Sequence, residues 1–215
     1  MFLTHARQRA RLAASALLAA AALALTACGG DAEGQPDPTA SPATSAAAQT
    51  PTPTPAATPS YKPASADGPA ENVPLPKMPK EAKEKTHAGL EAFARHWYAL
   101  LNYAYESGDA APLKAITSGD CERCQMVYKG LEAQESSTWT IGGEVQIQQI
   151  STNFAADSNG IYQLPVQLKR MGATHYVDGE KHSTDAPGGL TLDLFMARYE
   201  KGEWTAQDVG VIKGP

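Results

Sequence analysis

"SGDCERC", residues 118–124, sets Cys121 and Cys124 at positions i and i+3. A pair with this spacing admits three chemistries. At the start of a helix the two Cα atoms can approach the roughly 5.5 Å that a disulfide prefers. The loop such a bond closes is small, so the bond contributes about 1–2 kcal/mol by removing unfolded-state entropy. Alternatively, the positive end of the helix dipole lowers the pKa of the leading thiol and suits it to thiol–disulfide exchange. Third, the pair could supply half of a zinc site. Against exchange, the acids Asp120 and Glu122 flank Cys121 and oppose a thiolate, and the loop follows a helix rather than a strand. Against zinc, the sequence has no second Cys-x-x-Cys pair and no closely spaced His pair to complete four ligands. A structural disulfide is the favoured reading, and exchange is its competitor.

Other groups able to do chemistry are scattered. Asp193 sits in a strand-like run between Thr191 and Phe195, on the side opposite Leu190, Leu192, Leu194 and Met196, which places it in solvent. His96 falls well off the apolar stripe of its helix, an exposed position. His175 and His182 lie in a polar, loop-like stretch with Asp178, Glu180 and Asp185, where a weak metal site is conceivable and a surface loop is the simpler reading. Trp97, Tyr98, Tyr105 and Tyr128 could line a cavity for a small ligand, although helical spacing also suits plain core. No phosphate-cradling loop, dinucleotide fingerprint or serine-nucleophile elbow is present. Nothing in the sequence calls for a cofactor or a metal.

These residues need elements to hold them. From Thr86 to Ser107, Leu90, Phe93, Ala94, Trp97, Leu101 and Ala104 recur at helical spacing. Pro112 suits the first turn of a second helix over about 110–117. Asp120 is suited to cap a third, running to about Glu135. Four strands follow: Trp139 to Thr152, with Gly142-Gly143 read as a bulge, Ile161 to Met171, Leu190 to Tyr199, and Trp204 to Ile212. "EKGE" at 200–203 joins the last two as a hairpin. Helices first and an antiparallel meander after give an α+β class, with N-terminal helices packed on one face of a curved antiparallel sheet. The outer sheet face, read as carrying Phe195 and Tyr199, could pair two copies into a homodimer.

Two resemblances sharpen this. The element order is similar to the NTF2-like cone, in which a curved sheet wraps a long first helix. The string Thr86, Gly89, Ala92, Phe93, Asn102, Tyr103, Ala104, Gly108, Asp109, Pro112, Leu113, Cys121 and Cys124 resembles an uncharacterised family of actinobacterial lipoproteins. That family carries no known activity, so the resemblance implies an address rather than a mechanism.

The amino terminus agrees with that address. Arg7, Arg9 and Arg11 precede an apolar run from Leu12 to Leu25, 14 residues long, too short for the roughly 20 that span a bilayer as a helix. A basic start, a short apolar centre and small residues before a break describe an export leader. Leu25-Thr26-Ala27-Cys28 resembles a bacterial lipobox. The resemblance implies cleavage of residues 1–27, a diacylglycerol on the Cys28 sulfur, and an acyl chain such as palmitate on the new amine. Each buried methylene adds about 0.8 kcal/mol of anchoring.

Of the 16 prolines, 12 fall between Pro36 and Pro79, whereas 13 of the 15 aromatics lie at or after Phe93. Residues 28–80 therefore read as a disordered Pro/Thr/Ala-rich tether, and 81–215 as the domain. If extended as polyproline II, some 50 residues reach roughly 150 Å. Residues 81–215 carry 12 Lys and Arg against 18 Asp and Glu, a formal charge of −6, which argues against nucleic acid as a partner.

The expected protein is a lipoprotein on the extracytoplasmic face of the cell membrane, held by Cys28. Its domain binds an envelope protein or a small ligand without enzymatic action; the alternatives are disulfide exchange at Cys121/Cys124 or an enzyme working in the cone cavity. Mass spectrometry of the purified protein should find Cys28 lipidated and no free thiol at Cys121 or Cys124. An unmodified Cys28 sulfur, or two free thiols, would overturn this reading.

Overall fold

Thr86 begins the first helix as the sequence dictates. Its Oγ1 accepts from the Gly89 amide at 3.0 Å, one of the donors a helix start leaves unpaired. Helix α1 then runs His87–Ser107 and stops at Gly108, whose left-handed φ of 76° a side chain would resist. The computed structural model describes residues 59–212. The expected leader 1–27, the Cys28 anchor and the tether up to residue 58 lie outside them.

Helix α2 (Ala111–Ala115) is set up by Asp109, whose Oδ1 accepts from the Ala111 amide. Helix α3 (Glu122–Glu132) is capped by Cys121 rather than by Asp120. Seven strands follow: β1 (Thr138–Gly142), β2 (Val145–Ile150), β3 (Ile161–Arg170), β4 (Ala173–Val177), β5 (Glu180–Asp185), β6 (Leu190–Glu200) and β7 (Glu203–Val211). They form two antiparallel sheets, β1-β4-β5 and β2-β3-β6-β7.

This overturns the expected α+β arrangement of helices on one curved sheet in an NTF2-like cone. There are two sheets, and strand residues outnumber helical ones. The physical cause is glycine. Gly142 and Gly143, expected to form a bulge, both adopt positive φ (77° and 81°) and turn the chain out of one sheet into the other. The crossing from β3 to β4 passes through Gly172, whose carbonyl accepts from the Gly143 amide at 2.9 Å. The return from β5 to β6 passes through Gly188, whose amide donates to the Arg170 carbonyl at 3.0 Å. The stretch expected to be a loop around His175 and His182 is the β4–β5 hairpin. Its turn is Asp178-Gly179, with φ of 50° and 82°, the two-residue connection that best fits strand twist.

The core lies between α1 and the four-stranded sheet. Phe195 packs edge-on against Phe93 (6.0 Å between centroids) and Trp97 (5.6 Å). Trp204 gathers Tyr162 and Tyr199 at about 5 Å. Phe195 is fully buried, so the outer face expected to carry Phe195 and Tyr199 for pairing two copies carries Leu190 and Leu192 instead. His96 is buried as well, because the turn Glu81–Lys83, α2, β2 and β7 cover α1 on several sides.

Residues 59–80, which composition places in the tether, run over this domain. Lys62 pairs with Glu71 and Ser65 with Gly68, and the Trp139 indole donates to the Ser65 carbonyl at 2.8 Å.

A Cβ on Gly142 would meet the Gly172 carbonyl oxygen at 2.5 Å, on a backbone that already disfavours L-residues. Gly142→Ala is expected to lower stability by about 1–3 kcal/mol, measured as a drop in the urea midpoint. A midpoint equal to that of the parent chain would show that the junction does not constrain the fold.

Candidate functional site

Where α1, α3 and the four-stranded sheet diverge they leave a cavity of about 300 Å³. Helix α1 contributes Trp97, Tyr98, Leu101 and Tyr105; α3 contributes Arg123, Cys124 and Val127; the sheet contributes Val145, Leu168, Asp193 and Val209 among others. Most of these are apolar.

Asp193 is the unexpected member. The alternation of β6 was expected to turn it to solvent, yet it is only 7% exposed. The assignment reverses because both faces of β6 are rich in apolar residues, and the aromatic packing of Phe195 decides between them. Phe195 and Asp193 share a face, as residues two apart in a strand must. The Tyr98 hydroxyl donates to Asp193 Oδ2 at 3.1 Å. Burial holds the Asp193 carboxyl above the ordinary carboxylate range, opposed by the Tyr98 hydrogen bond and by the charges of Arg123 and Arg170. Burial and the neighbouring carboxylate push the Tyr98 hydroxyl far upward, so it stays protonated. Burial also lowers the pKa of His96.

Trp97, Tyr98 and Tyr105 line this cavity, as their spacing on α1 allows. Tyr128 does not. It is buried beneath the Lys114 ammonium, 5.0 Å from the ring centroid.

Cys121 and Cys124 are joined as a disulfide with Cα atoms 5.2 Å apart. The Cys124 amide donates to Cys121 Sγ at 3.2 Å, so the bond and the cap of α3 are one structure. Cys121 is fully buried and Cys124 is 3% exposed. Asp208 Oδ1 lies 3.4 Å from the Cys121 sulfur, where its charge would oppose a thiolate.

Across the three-stranded sheet, Thr140 Oγ1 lies 2.9 Å from His175 Nδ1, and His175 Nε2 lies 3.0 Å from Asp185 Oδ2. This hydroxyl–imidazole–carboxylate chain is invisible in the sequence, where β4 and β5 read as loop. Its carboxylate side chain is 69% exposed, so water screens most of its pull on the imidazole. The chain stitches β1, β4 and β5 together. His182 and Glu180 are exposed on β5, and among the described residues no cluster of three or more His, Cys, Asp and Glu is placed to share an ion.

A family model described as "Family of unknown function (DUF6318)" matches residues 59–210. None of the curated proteins matches the chain. Among solved structures, the intermembrane-space region of the chloroplast protein ARC6 is similar over 60% of this chain and 98% of its own, at 10% identity and a TM-score of 0.43. Aln2 from a Streptomyces species is similar over 58% of this chain and 90% of its own, at 8% identity and a TM-score of 0.38.

The raised pKa of Asp193 gives a signed expectation. A carboxyl that is harder to ionise when folded contributes most below its unfolded pKa, near 3.9. That contribution is lost as pH rises through the folded value. Asp193→Asn keeps an acceptor for Tyr98 and removes the ionisation. Thermal melts at several pH values should show this variant gaining on the parent chain as pH rises from about 4 to neutrality. A variant that loses ground over that range would mean Asp193 is stabilised as the anion.

Proposed function

The chain belongs to the DUF6318 family, and from that premise we propose that it is a lipoprotein anchored through Cys28 on the extracytoplasmic face of a membrane. Its domain holds a small, largely apolar molecule in the cavity between α1 and the four-stranded sheet. The single observation that carries the binding reading is the cavity itself. It is a cleft of about 300 Å³ whose walls include the buried apolar side chains of Trp97, Leu101, Val145, Leu168 and Val209, at the small end of ligand sites.

Binding without reaction is favoured over disulfide exchange because Cys121 is fully buried and the Asp208 carboxylate beside its sulfur disfavours the thiolate that exchange requires. The lipid anchor rests on the lipobox-like Leu25-Thr26-Ala27-Cys28 and the basic residues before it.

The neutral fluorescent probe N-phenyl-1-naphthylamine tests the cavity. It should brighten on the purified full-length protein and quench the emission of Trp97. Leu101→Trp fills the interior and should weaken the probe's affinity at least tenfold. Val211→Trp does the same from the rim, at a position 39% exposed where folding tolerates the bulk. Probe affinity unchanged in both variants, or no binding to the parent protein, would refute the cavity as a binding site.

A further inference from the structure

We propose that the occupant is a short amphipathic anion, with an apolar body inside the cavity and a carboxylate or phosphate held at its mouth by Arg123 and Arg170. The inference rests on the cavity reading above and adds the chemistry of the ligand.

Both arginines line the cavity and both are exposed, while Trp97, Leu101, Leu168, Val209 and Asp193 are buried, so the guanidiniums mark the mouth and the carboxyl the interior. They come from different elements, Arg123 from α3 and Arg170 from the end of β3, and converge on one opening. Among the described residues neither stands within ion-pair distance of a carboxylate, although Lys62, Lys114 and Arg198 do. Arg170 is held by two contacts: it lies over the Tyr105 ring, 5.7 Å from the centroid, and donates to the Gly143 carbonyl at 3.2 Å. A guanidinium has five N–H donors in a planar fork, so most of its capacity remains free for an oxyanion, the partner that geometry matches best.

The interior carboxyl does not cancel this. Two guanidiniums face one Asp193, which leaves an excess positive charge even with that carboxyl ionised. The surplus is unusual on a domain whose residues 81–215 carry 18 acids against 12 Lys and Arg. A cationic amphiphile is disfavoured twice: it would pass two like charges at the mouth, and the carboxyl beyond them is engaged by Tyr98. At roughly 30 Å³ per water-sized unit, the volume of about 300 Å³ suits a body of about ten heavy atoms.

Competition against N-phenyl-1-naphthylamine on the full-length protein tests the proposal, with decanoate, octyl phosphate, decanol and decylamine as competitors. The two anions should displace the probe at about tenfold lower concentration than decanol, and decylamine should be weakest. The better of the two anions identifies the headgroup, and either ranking supports the proposal. Arg123→Gln with Arg170→Gln should erase the anion preference, so that decanoate, octyl phosphate and decanol displace the probe at similar concentrations. Decanol matching the anions, or the double variant keeping the preference, would overturn the anion assignment while the cavity stands. A probe that never binds would remove both.

Discussion

Phe195 sets the molecule's inside and outside. Its ring is buried against Phe93, Trp97 and Tyr98 of α1, and a strand cannot turn one residue inward without turning its second neighbours inward too. That single contact draws Asp193 into the cavity wall and Ala197 into the core. It leaves Leu190 and Leu192 in solvent, 61% and 38% exposed. A polar group is thereby buried and two leucines are surrendered to water, costs that run against the usual transfer preferences. The aromatic cluster outweighs them because its rings bury far more area and meet edge to face. The candidate site is thus a by-product of core packing: the carboxyl is where it is because a phenyl ring two residues away is where it must be.

The string from Thr86 to Cys124 can be read as structural work. Thr86 caps α1. Gly89 lets the helix lie against the Glu81 and Glu84 carbonyls, where a Cβ would collide, and the Trp204 indole donates to that same Glu84 carbonyl at 2.9 Å. Asn102 spends its amide on the backbone of Val145, donating to its carbonyl at 3.0 Å and accepting from its amide at 2.9 Å. A side chain so placed stands in for a neighbouring strand and fixes the start of β2 just past the glycine junction. Asp109 and Pro112 open α2. Cys121 and Cys124 close the start of α3, which carries Arg123 toward the cavity mouth.

Helices were legible because their signals are local. The 3.6-residue recurrence of Leu90, Phe93, Trp97 and Leu101, with Thr86 before it and Gly108 after, leaves little freedom. The sheets were not, for three separate reasons. Gly142-Gly143 fits a bulge and a sheet-to-sheet turn equally well, and only the positions of Gly172 and Gly188 decide. Strand β5 is exposed along its whole length, so it has no apolar face to alternate, although Asp178-Gly179 was a hairpin signal in plain view. Strand β6 alternates well in either sense, so Asp193 could be assigned to a face only with α1 in place. Of the site, the aromatic lining on α1 was readable from spacing, while the carboxyl and the two arginines depend on non-local packing.

Residues 61–65 add a mechanical meaning to the fold. Tyr61 donates to Glu106 at 2.5 Å, Lys62 pairs with Glu71, and Ser65 receives the Trp139 indole. Tension arriving along the chain from residue 58 therefore loads α1 and the three-stranded sheet near the glycine junction before it reaches the Glu81 turn. These few polar contacts lie outside the aromatic core, so the segment can lift from the domain without unpacking Phe93, Trp97 or Phe195.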